Sequence, residues 1–230
     1  MRFKFSKSGK MPPKDSHISN TYDNIAESWY RLRHWTRFET ELRSLADRWG
    51  QGRLLNIGCA HGPDFLPFRG KFEIWGLDSS GQMIKMAVKY AEKHNISPRL
   101  LMADAVQLPF CDGVFDYALA VATYHHIPGR QRRDIAFREL KRVLKPGGEA
   151  FITVWNRWQR IFLGKGKEVR VPWKIGNQVI HRYYYLFTYF EIVKALSSAG
   201  FKVLAARPES YYKLPFKCFS RNICILVKRD

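Results

Sequence analysis

Apolar runs of strand length alternate with amphipathic stretches of helix length along most of this chain, and that alternation limits the fold more than any other feature. The apolar runs are RLLNIG (53–58), FEIWGLD (72–78), PRLLMAD (98–104), VFDYALAVA (114–122), GEAFITVW (148–155), FKVLAA (201–206) and NICILVK (222–228). Helical patterns cover 23–49, 80–94, 130–143 and 188–199. Alternation of this kind is typical of a parallel sheet with crossover helices. The sequence therefore predicts an α/β, Rossmann-like fold with a doubly wound, seven-stranded, mostly parallel sheet whose last strand is antiparallel.

Two segments lie outside this alternation. Residues 1–21 are basic and contain proline, which predicts a flexible N-terminal tail ahead of a single domain over 22–230. Residues 156–187 fit neither the helix period nor the strand period, and they are rich in basic and aromatic side chains. We expect 156–187 to be a basic, surface-mounted insertion. The KPGG stretch at 145–148 predicts a turn into the fifth strand.

The chain is strongly basic, with 39 Lys and Arg against 20 Asp and Glu, a formal net charge of +19. Such an excess attracts polyanions, so nucleic acid is the first expected partner and an anionic membrane surface the second. No run is long enough to cross a bilayer. Of the two candidate partners, we expect nucleic acid and no membrane. The four cysteines form no CxxC pair and no zinc spacing, which predicts a cytoplasmic protein without a metal site; they are Cys59, Cys111, Cys218 and Cys224.

A glycine-bearing turn, LLNIGCAHG (54–62), directly follows the first predicted strand. Gly58 permits a tight turn and close approach to a ligand. Asp78 ends the second strand, where a carboxylate can accept both hydroxyls of a ribose, and Asp104 ends the third, where it can bind an adenine amine. The alternative is an ordinary turn with two solvent-facing aspartates. The predicted nucleoside-cofactor site comprises Asn56, Gly58, Cys59, Ala60, Gly62, Asp78, Ser79, Asp104, Ala105 and Ala120.

The spacing of this turn is G-x-A-x-G followed by Pro63, not the G-x-G-x-x-G of dinucleotide-binding proteins. With VLKPGG at 143–148, it resembles the class I S-adenosylmethionine-dependent methyltransferases over about residues 50–228. The resemblance implies S-adenosylmethionine as the cofactor. Asn56 stands where that fold usually has an acid for the methionine ammonium, which implies weaker cofactor binding.

A narrower resemblance rests on YDNIAESWYRLR (22–33), AVATYHHIPGRQRRDIAFRELKRVLKPGG (120–148), VW (154–155), RYYYLF (182–187) and RNICILVK (221–228). In this order they are similar to the tRNA wobble-uridine methyltransferases that esterify carboxymethyluridine. The resemblance implies tRNA as the substrate and a small zinc-ribbon activator protein as a partner.

The same resemblance implies roles for six residues at the acceptor side: His125, His126, Arg33, Trp155, Arg182 and Asn222. A carboxylate is ionised at neutral pH, so its methylation needs alignment and charge pairing but no general base. Arg33, with Arg132 or Arg182, would hold the carboxymethyl group or a phosphate. A histidine would orient the acceptor, Trp155 would stack on the flipped base and Asn222 would bind its edge.

Each role has a structural alternative. One histidine could pack as a core residue, Arg33 could pair on its own helix, Trp155 could belong to the core and Arg182 to a solvated face. The tyrosines at 183–185 favour packing over chemistry. Two other functions stay open: a methyltransferase for a quinone, sterol or other lipid-like acceptor, and a non-catalytic cofactor-binding or RNA-binding subunit. The charge and the basic insertion favour RNA.

Overall fold

The computed structural model describes residues 16–214, 216 and 219–230, and its centre is a seven-stranded sheet. The strands are β1 (Gly52–Ile57), β2 (Phe72–Asp78), β3 (Arg99–Met102), β4 (Phe115–Val121), β5 (Leu144–Trp155), β8 (Phe201–Pro208) and β9 (Asn222–Arg229), with β6 (Glu168–Ile175) and β7 (Gln178–Tyr185) forming a separate hairpin. The order is β3-β2-β1-β4-β5-β9-β8. Strands β1 to β5 pair in parallel, and β9 runs antiparallel to both β5 and β8. The predicted fold class is confirmed.

Five α-helices accompany the strands in the described residues: α1 (Ser16–Leu32), α2 (Glu39–Trp49), α3 (Gly81–Lys93), α4 (Arg130–Val143) and α5 (Tyr189–Ser198). The single helix predicted over 23–49 is wrong, because residues 33–38 separate α1 from α2. The Thr36 hydroxyl accepts a hydrogen bond from the Phe38 amide at 3.2 Å, a local alternative to helical pairing. Helix α1 begins at Ser16, inside the predicted tail of 1–21; residues 1–15 lie outside the described part of the chain.

The predicted turn at 145–148 is a bulge within β5. Phe115 of β4 pairs with Leu144, whereas Tyr117 already pairs with Glu149, so the intervening residues of β5 loop out. A Cβ at Gly148 would lie 2.9 Å from the Asp116 carbonyl oxygen, so this close approach requires glycine.

The insertion at 156–187 is exposed over much of its length, as predicted, but part of it also packs into the fold. Its hairpin, β6 and β7, packs against α1: Ile25 and Ala26 share a buried apolar cluster with Trp173, whose indole N–H donates to the Ser28 hydroxyl at 2.9 Å. Arg182, Tyr184 and Tyr185 in the second half of β7 are buried too. The hairpin is therefore a structural wall held by a helix from the other end of the chain.

Apolar clusters cover both faces of the central sheet. Phe137 and Leu140 of α4 belong to one, and Leu42 and Leu45 of α2 belong to the other, together with the buried thiol of Cys59. A parallel sheet covered on both faces leaves its strand ends as the place for a ligand. No helix in the described residues is long and apolar enough to cross a membrane. Those residues also contain no group of three His, Cys, Asp or Glu side chains able to hold a metal ion.

Candidate active site

A cavity of about 460 Å³ opens where β1, β2, β3 and β4 end. Its floor is the turn after β1 and the residues that follow the other three strands; α1, the 33–38 connection, β7 and the start of β9 form its walls. Seven of the ten predicted cofactor residues line it: Gly58, Cys59, Ala60, Asp78, Ser79, Asp104 and Ala105. All six residues predicted at the acceptor side line it as well: Arg33, His125, His126, Trp155, Arg182 and Asn222.

The turn after β1 has a backbone that only small residues accommodate. Gly58 has φ +67°, and a Cβ there would lie 2.5 Å from the hydroxyl and methyl groups of Thr123, just after β4. Ala60 also has a left-handed φ, 47°, which costs a non-glycine residue roughly 1–2 kcal/mol. Its N–H donates to Asp78 Oδ2 at 3.0 Å, which offsets part of that cost.

Asp78 presents a carboxylate to the cavity between two backbone donors. Oδ1 accepts from the Ser80 N–H at 2.9 Å and Oδ2 from Ala60. Burial raises the pKa of Asp78 to about 6, so the group is mostly ionised at neutral pH. Each oxygen keeps a further lone pair, and the two together fit the paired hydroxyls of a ribose.

Asp104 lies at the end of β3 and is shared between two partners. Oδ1 accepts from the Val106 N–H at 3.1 Å, and Oδ2 accepts from Arg132 Nη2 at 3.0 Å. Arg132 is therefore paired with an aspartate in this structure, which favours Arg182 over Arg132 as the partner of Arg33 at the acceptor. Asp78, Asp104 and the small residues of the turn together fit an adenosine cofactor.

Three predicted cofactor residues do not line the cavity. Asn56 is 0% exposed within β1, and among the described residues neither its amide oxygen nor its amide nitrogen has a partner. Gly62 shapes the turn instead of touching a ligand, since a Cβ there would lie 2.7 Å from the Phe65 ring. Ala120 points into the apolar core. The sequence places these residues near the strand ends, but only packing decides which side chains face inward.

The two histidines are held differently. His125 is fully buried; its Nδ1 accepts from the Trp155 amide at 3.1 Å, and its ring stacks on Tyr184 with centroids 5.1 Å apart. His126 accepts at Nε2 from the Tyr22 hydroxyl at 2.9 Å, and its Nδ1 lies 2.9 Å from the Tyr183 carbonyl oxygen, which requires that nitrogen to donate. Burial lowers the pKa of His125 well below its usual value and that of His126 to about 3. Both imidazoles are neutral at pH 7.

Replacing His126 with glutamine should make stability less sensitive to acid. The pKa of His126 is depressed from 6.5 to about 3, so its stabilising contribution is complete above pH 6.5 and is lost as pH falls toward 3. Between pH 7 and pH 5 that loss is about 1–2 kcal/mol. Asp64 and Asp78 have raised pKa values and act in the opposite sense, so the variant must be compared with the wild type.

Urea unfolding at the two pH values measures this difference in the free energy of unfolding. Replacing His181, which is exposed on β7, with glutamine is the matched control for the substitution. Equal pH dependence in His126→Gln and the wild type would contradict the assignment.

Four guanidinium groups line the cavity opposite the aspartates: those of Arg33, Arg37, Arg182 and Arg221. None of them forms an ion pair within the described residues. Arg182, 5% exposed, lies 4.9 Å from the Trp173 ring centre and donates to the Tyr184 hydroxyl at 2.8 Å. Burial and neighbouring arginines lower the pKa of Arg33 and of Arg221.

Trp155 is half-buried within an aromatic stack. Its ring lies 4.1 Å from the Tyr184 ring at an interplanar angle of 24°, and the Arg221 guanidinium lies 5.2 Å from its centre. A base could stack on Trp155 only by moving Arg221. Trp35, in the 33–38 connection, is 62% exposed at the mouth of the same cavity.

Asn222 begins β9 with its side chain at the cavity. Its N–H donates to the buried carboxylate of Glu209 at 2.7 Å, and the Arg221 N–H donates to the other Glu209 oxygen at 3.2 Å. The Asn222 amide nitrogen has no partner among the described residues. Glu209 therefore fixes the backbone from which Arg221 and Asn222 project.

Sequence reasoning missed several residues of the cavity: Tyr22, Arg37, Asp64, Tyr184 as the centre of the stack, and Glu209 behind it. Arg37 stands four residues after Arg33, a spacing that could have drawn attention to it. The others carry no local signal, because their roles depend on elements distant in sequence.

Comparison with known proteins agrees with this geometry. Residues 55–152 match the family model described as a methyltransferase domain. The chain is 30% identical over 182 residues to an Encephalitozoon cuniculi protein assigned by name to the methyltransferases, covering 76% of this chain and 80% of that protein. It is 27% identical over 219 residues to the tRNA (carboxymethyluridine(34)-5-O)-methyltransferase of Schizosaccharomyces pombe, covering 83% and 91% of the two chains.

An Arabidopsis thaliana enzyme with that same printed name is 33% identical over 141 residues, covering 60% of this chain. The chain spans 32% of the length of that enzyme and 33% of a mouse protein named as a tRNA methyltransferase. These two relatives are thus about twice as long as this chain.

Solved structures share the fold at low sequence identity. The CcbJ methyltransferase of Streptomyces caelestis superimposes with a TM-score of 0.74 at 13% identity, covering 94% of this chain and 99% of that one. A Clostridium acetobutylicum S-adenosylmethionine-dependent methyltransferase gives 0.71 at 16% identity, covering 90% and 98%. With its adenosine-binding turn and aspartates in place, this chain belongs to the class I S-adenosylmethionine-dependent methyltransferases.

Proposed function

We propose that this enzyme methylates the carboxylate of carboxymethyluridine at the wobble position of tRNA, forming the methyl ester. Membership of the family establishes methyl transfer, and the proposal names the group that receives the methyl. The names of the Schizosaccharomyces pombe and Arabidopsis thaliana relatives support the choice of acceptor.

The observation that carries the proposal is the group of arginines without counterions. Arg33 directly follows α1, Arg182 lies on β7 and Arg221 precedes β9, so three separate parts of the chain bring positive charge to one cavity. Burial and, after it, repulsion from neighbouring arginines lower the pKa of Arg33 and of Arg221. An anionic acceptor relieves that repulsion, and arginine binds carboxylates through two parallel hydrogen bonds. An apolar quinone or sterol would leave the charges unpaired.

Two hydrogen-bond donors lie beside the arginines. His125 accepts at Nδ1, so its Nε2 carries the proton, and this nitrogen has no partner among the described residues. The Asn222 amide nitrogen is also buried without a hydrogen-bond partner among the described residues. Donors of this kind match the carbonyl oxygens of a uracil ring, because a buried donor is costly until it is paired.

The chemistry requires no proton transfer to the enzyme. Bound S-adenosylmethionine supplies an electrophilic methyl group on its sulfonium sulfur. The arginines hold an acceptor that is already ionised, and neutral His126, fixed between Tyr22 and β7, keeps the wall of the site in place. Esterification removes the negative charge, so the product loses its ion pairs with Arg33 and Arg182 and dissociates more readily than the substrate.

The surface beside the cavity mouth suits an RNA loop. Arg160, Lys165, Arg170 and Lys174 are exposed along the 156–187 insertion, and the side chains of Trp158 and Ile161 in the same segment are exposed too. Basic side chains interleaved with exposed aromatic rings bind the backbone and bases of single-stranded RNA. The net charge of +19 favours the same partner.

Purified enzyme should transfer a methyl group to tRNA that carries carboxymethyluridine at the wobble position, and not to the same tRNA with an unmodified uridine. The unmodified tRNA is the matched control, because it retains every phosphate contact and lacks only the carboxylate. Mass spectrometry of nucleosides from the digested tRNA identifies the ester, with and without an added zinc-ribbon activator protein. Methylation of both tRNAs, or of neither under both conditions, would refute the proposed acceptor.

A further inference from the structure

Asp64 is a buried acid that no step above uses. It lies in the first turn after the cofactor turn, within the short 3₁₀ segment Pro63–Phe68, and its side chain lines the cavity while only 7% exposed. The Thr36 hydroxyl, on the same wall, donates to its carboxylate. Asp64 closely follows the cofactor turn in sequence and lines the same cavity as Cys59 and Ala60.

Within the described residues, no lysine, arginine or histidine forms an ion pair with Asp64. Burial raises its pKa to about 6, so at neutral pH it is mostly ionised and still lacks a cation. Buried carboxylates are costly unless a positive charge pairs with them. A cationic ligand group in the cavity would supply that charge.

The cofactor has such a group in the α-ammonium of its methionine moiety. Asn56, at the usual position of an acid for this ammonium, is uncharged and does not reach the cavity wall. Asp78 is held by two backbone donors beside the ribose position, and Asp104 is paired with Arg132. Of the three acids on the cofactor side of the cavity, Asp64 alone has no assigned partner in the bound state.

We propose that Asp64 binds the α-ammonium of the cofactor's methionine moiety, so that the negative charge missing at position 56 is provided from position 64. The acid that binds the ammonium would then lie in the 3₁₀ segment after the cofactor turn, and not in β1. On this proposal, a charge on the cofactor side of the cavity is present without an acid at position 56.

Calorimetric binding of three ligands to wild-type protein and Asp64→Asn tests the proposal. S-adenosylhomocysteine has both ammonium and carboxylate, its decarboxylated analogue keeps only the amine, and methylthioadenosine has neither. The substitution should weaken the first two ligands about ten- to a hundredfold, the range expected for a charged hydrogen bond, and leave methylthioadenosine unchanged. Asp78→Asn is the control and should weaken all three alike through the shared ribose.

Thermal unfolding of the ligand-free proteins separates binding from folding. Asp64→Asn should be as stable as the wild type or more stable, because it removes an unpaired buried charge. Equal weakening of all three ligands, or unchanged binding of the two amines, would overturn the proposal.

Discussion

Replacing Arg182 with methionine should remove most methyl transfer to an anionic acceptor while leaving the protein as stable as before, or more stable. The guanidinium is 5% exposed, lies among Trp29, Trp173 and Tyr184, and forms no ion pair in the described part of the chain. Burying an unpaired charge costs free energy, and methionine fills much of the same volume without that charge. The lost hydrogen bond to the Tyr184 hydroxyl offsets only about 1 kcal/mol of the gain.

The activity loss should be large because the acceptor's carboxylate loses a buried partner. Removing one member of such a pair costs about 2–5 kcal/mol, or roughly 30-fold to several thousandfold in kcat/KM. Single-turnover methylation of carboxymethyluridine tRNA measures this loss, and thermal unfolding measures stability. Binding of S-adenosylhomocysteine should change little, since the aspartates of the cofactor side are untouched.

Arg142→Met is the matched control for Arg182→Met. Arg142 lies on α4 away from the cavity, where it pairs with Glu139 at 2.7 Å and Asp112 at 2.9 Å and donates to the Phe110 carbonyl oxygen. Its loss should lower the free energy of unfolding by about 1–3 kcal/mol and leave the methylation rate of folded enzyme unchanged. If Arg182→Met instead destabilises the protein as Arg142→Met does and retains activity, Arg182 is a structural residue.

Gly58→Ala should abolish measurable cofactor binding and destabilise the protein. The residue has φ +67°, and the new methyl group would lie 2.5 Å from two atoms of Thr123. Thr123 cannot easily move, because its hydroxyl donates to the Ile57 carbonyl oxygen at 2.8 Å. The turn after β1 would have to shift, and with it the Ala60 N–H that holds Asp78. Calorimetric titration with S-adenosylhomocysteine and urea unfolding measure the two effects.

Gly113→Ala separates the dihedral strain of this substitution from its steric clash. Gly113 has φ +64°, nearly the same as Gly58, but a Cβ there would find its nearest neighbours 4.0 Å away. Its substitution should cost about 1–2 kcal/mol from the left-handed backbone alone and leave cofactor affinity intact. Equal costs for the two substitutions, together with normal binding by Gly58→Ala, would show that contact with Thr123 does not shape the site.

Much of the fold was predictable because its signals are local. The boundaries of β2 and α4 match the predicted 72–78 and 130–143, since apolar periodicity and flanking glycines act over a few residues. The 23–49 prediction failed because α1 and α2 are both amphipathic and the break between them depends on one threonine side chain. The hairpin of 156–187 was missed because its buried positions contact α1, which no periodicity within the insertion reveals.

The sequence by itself determined the sheet, the cofactor turn and the aspartates at the ends of β2 and β3, because strand ends in a parallel sheet meet at one edge whatever else surrounds them. Only the tertiary structure decided which side chains reach the cavity. In the folded protein Asn56 is buried within β1, and Asp64 lines the cavity. Arg132 donates a hydrogen bond to Asp104. The tertiary structure also brought Arg33, Arg182 and Arg221 together from three distant parts of the chain. Such convergence depends on how α1 and the hairpin pack, a long-range property that residue spacing does not encode.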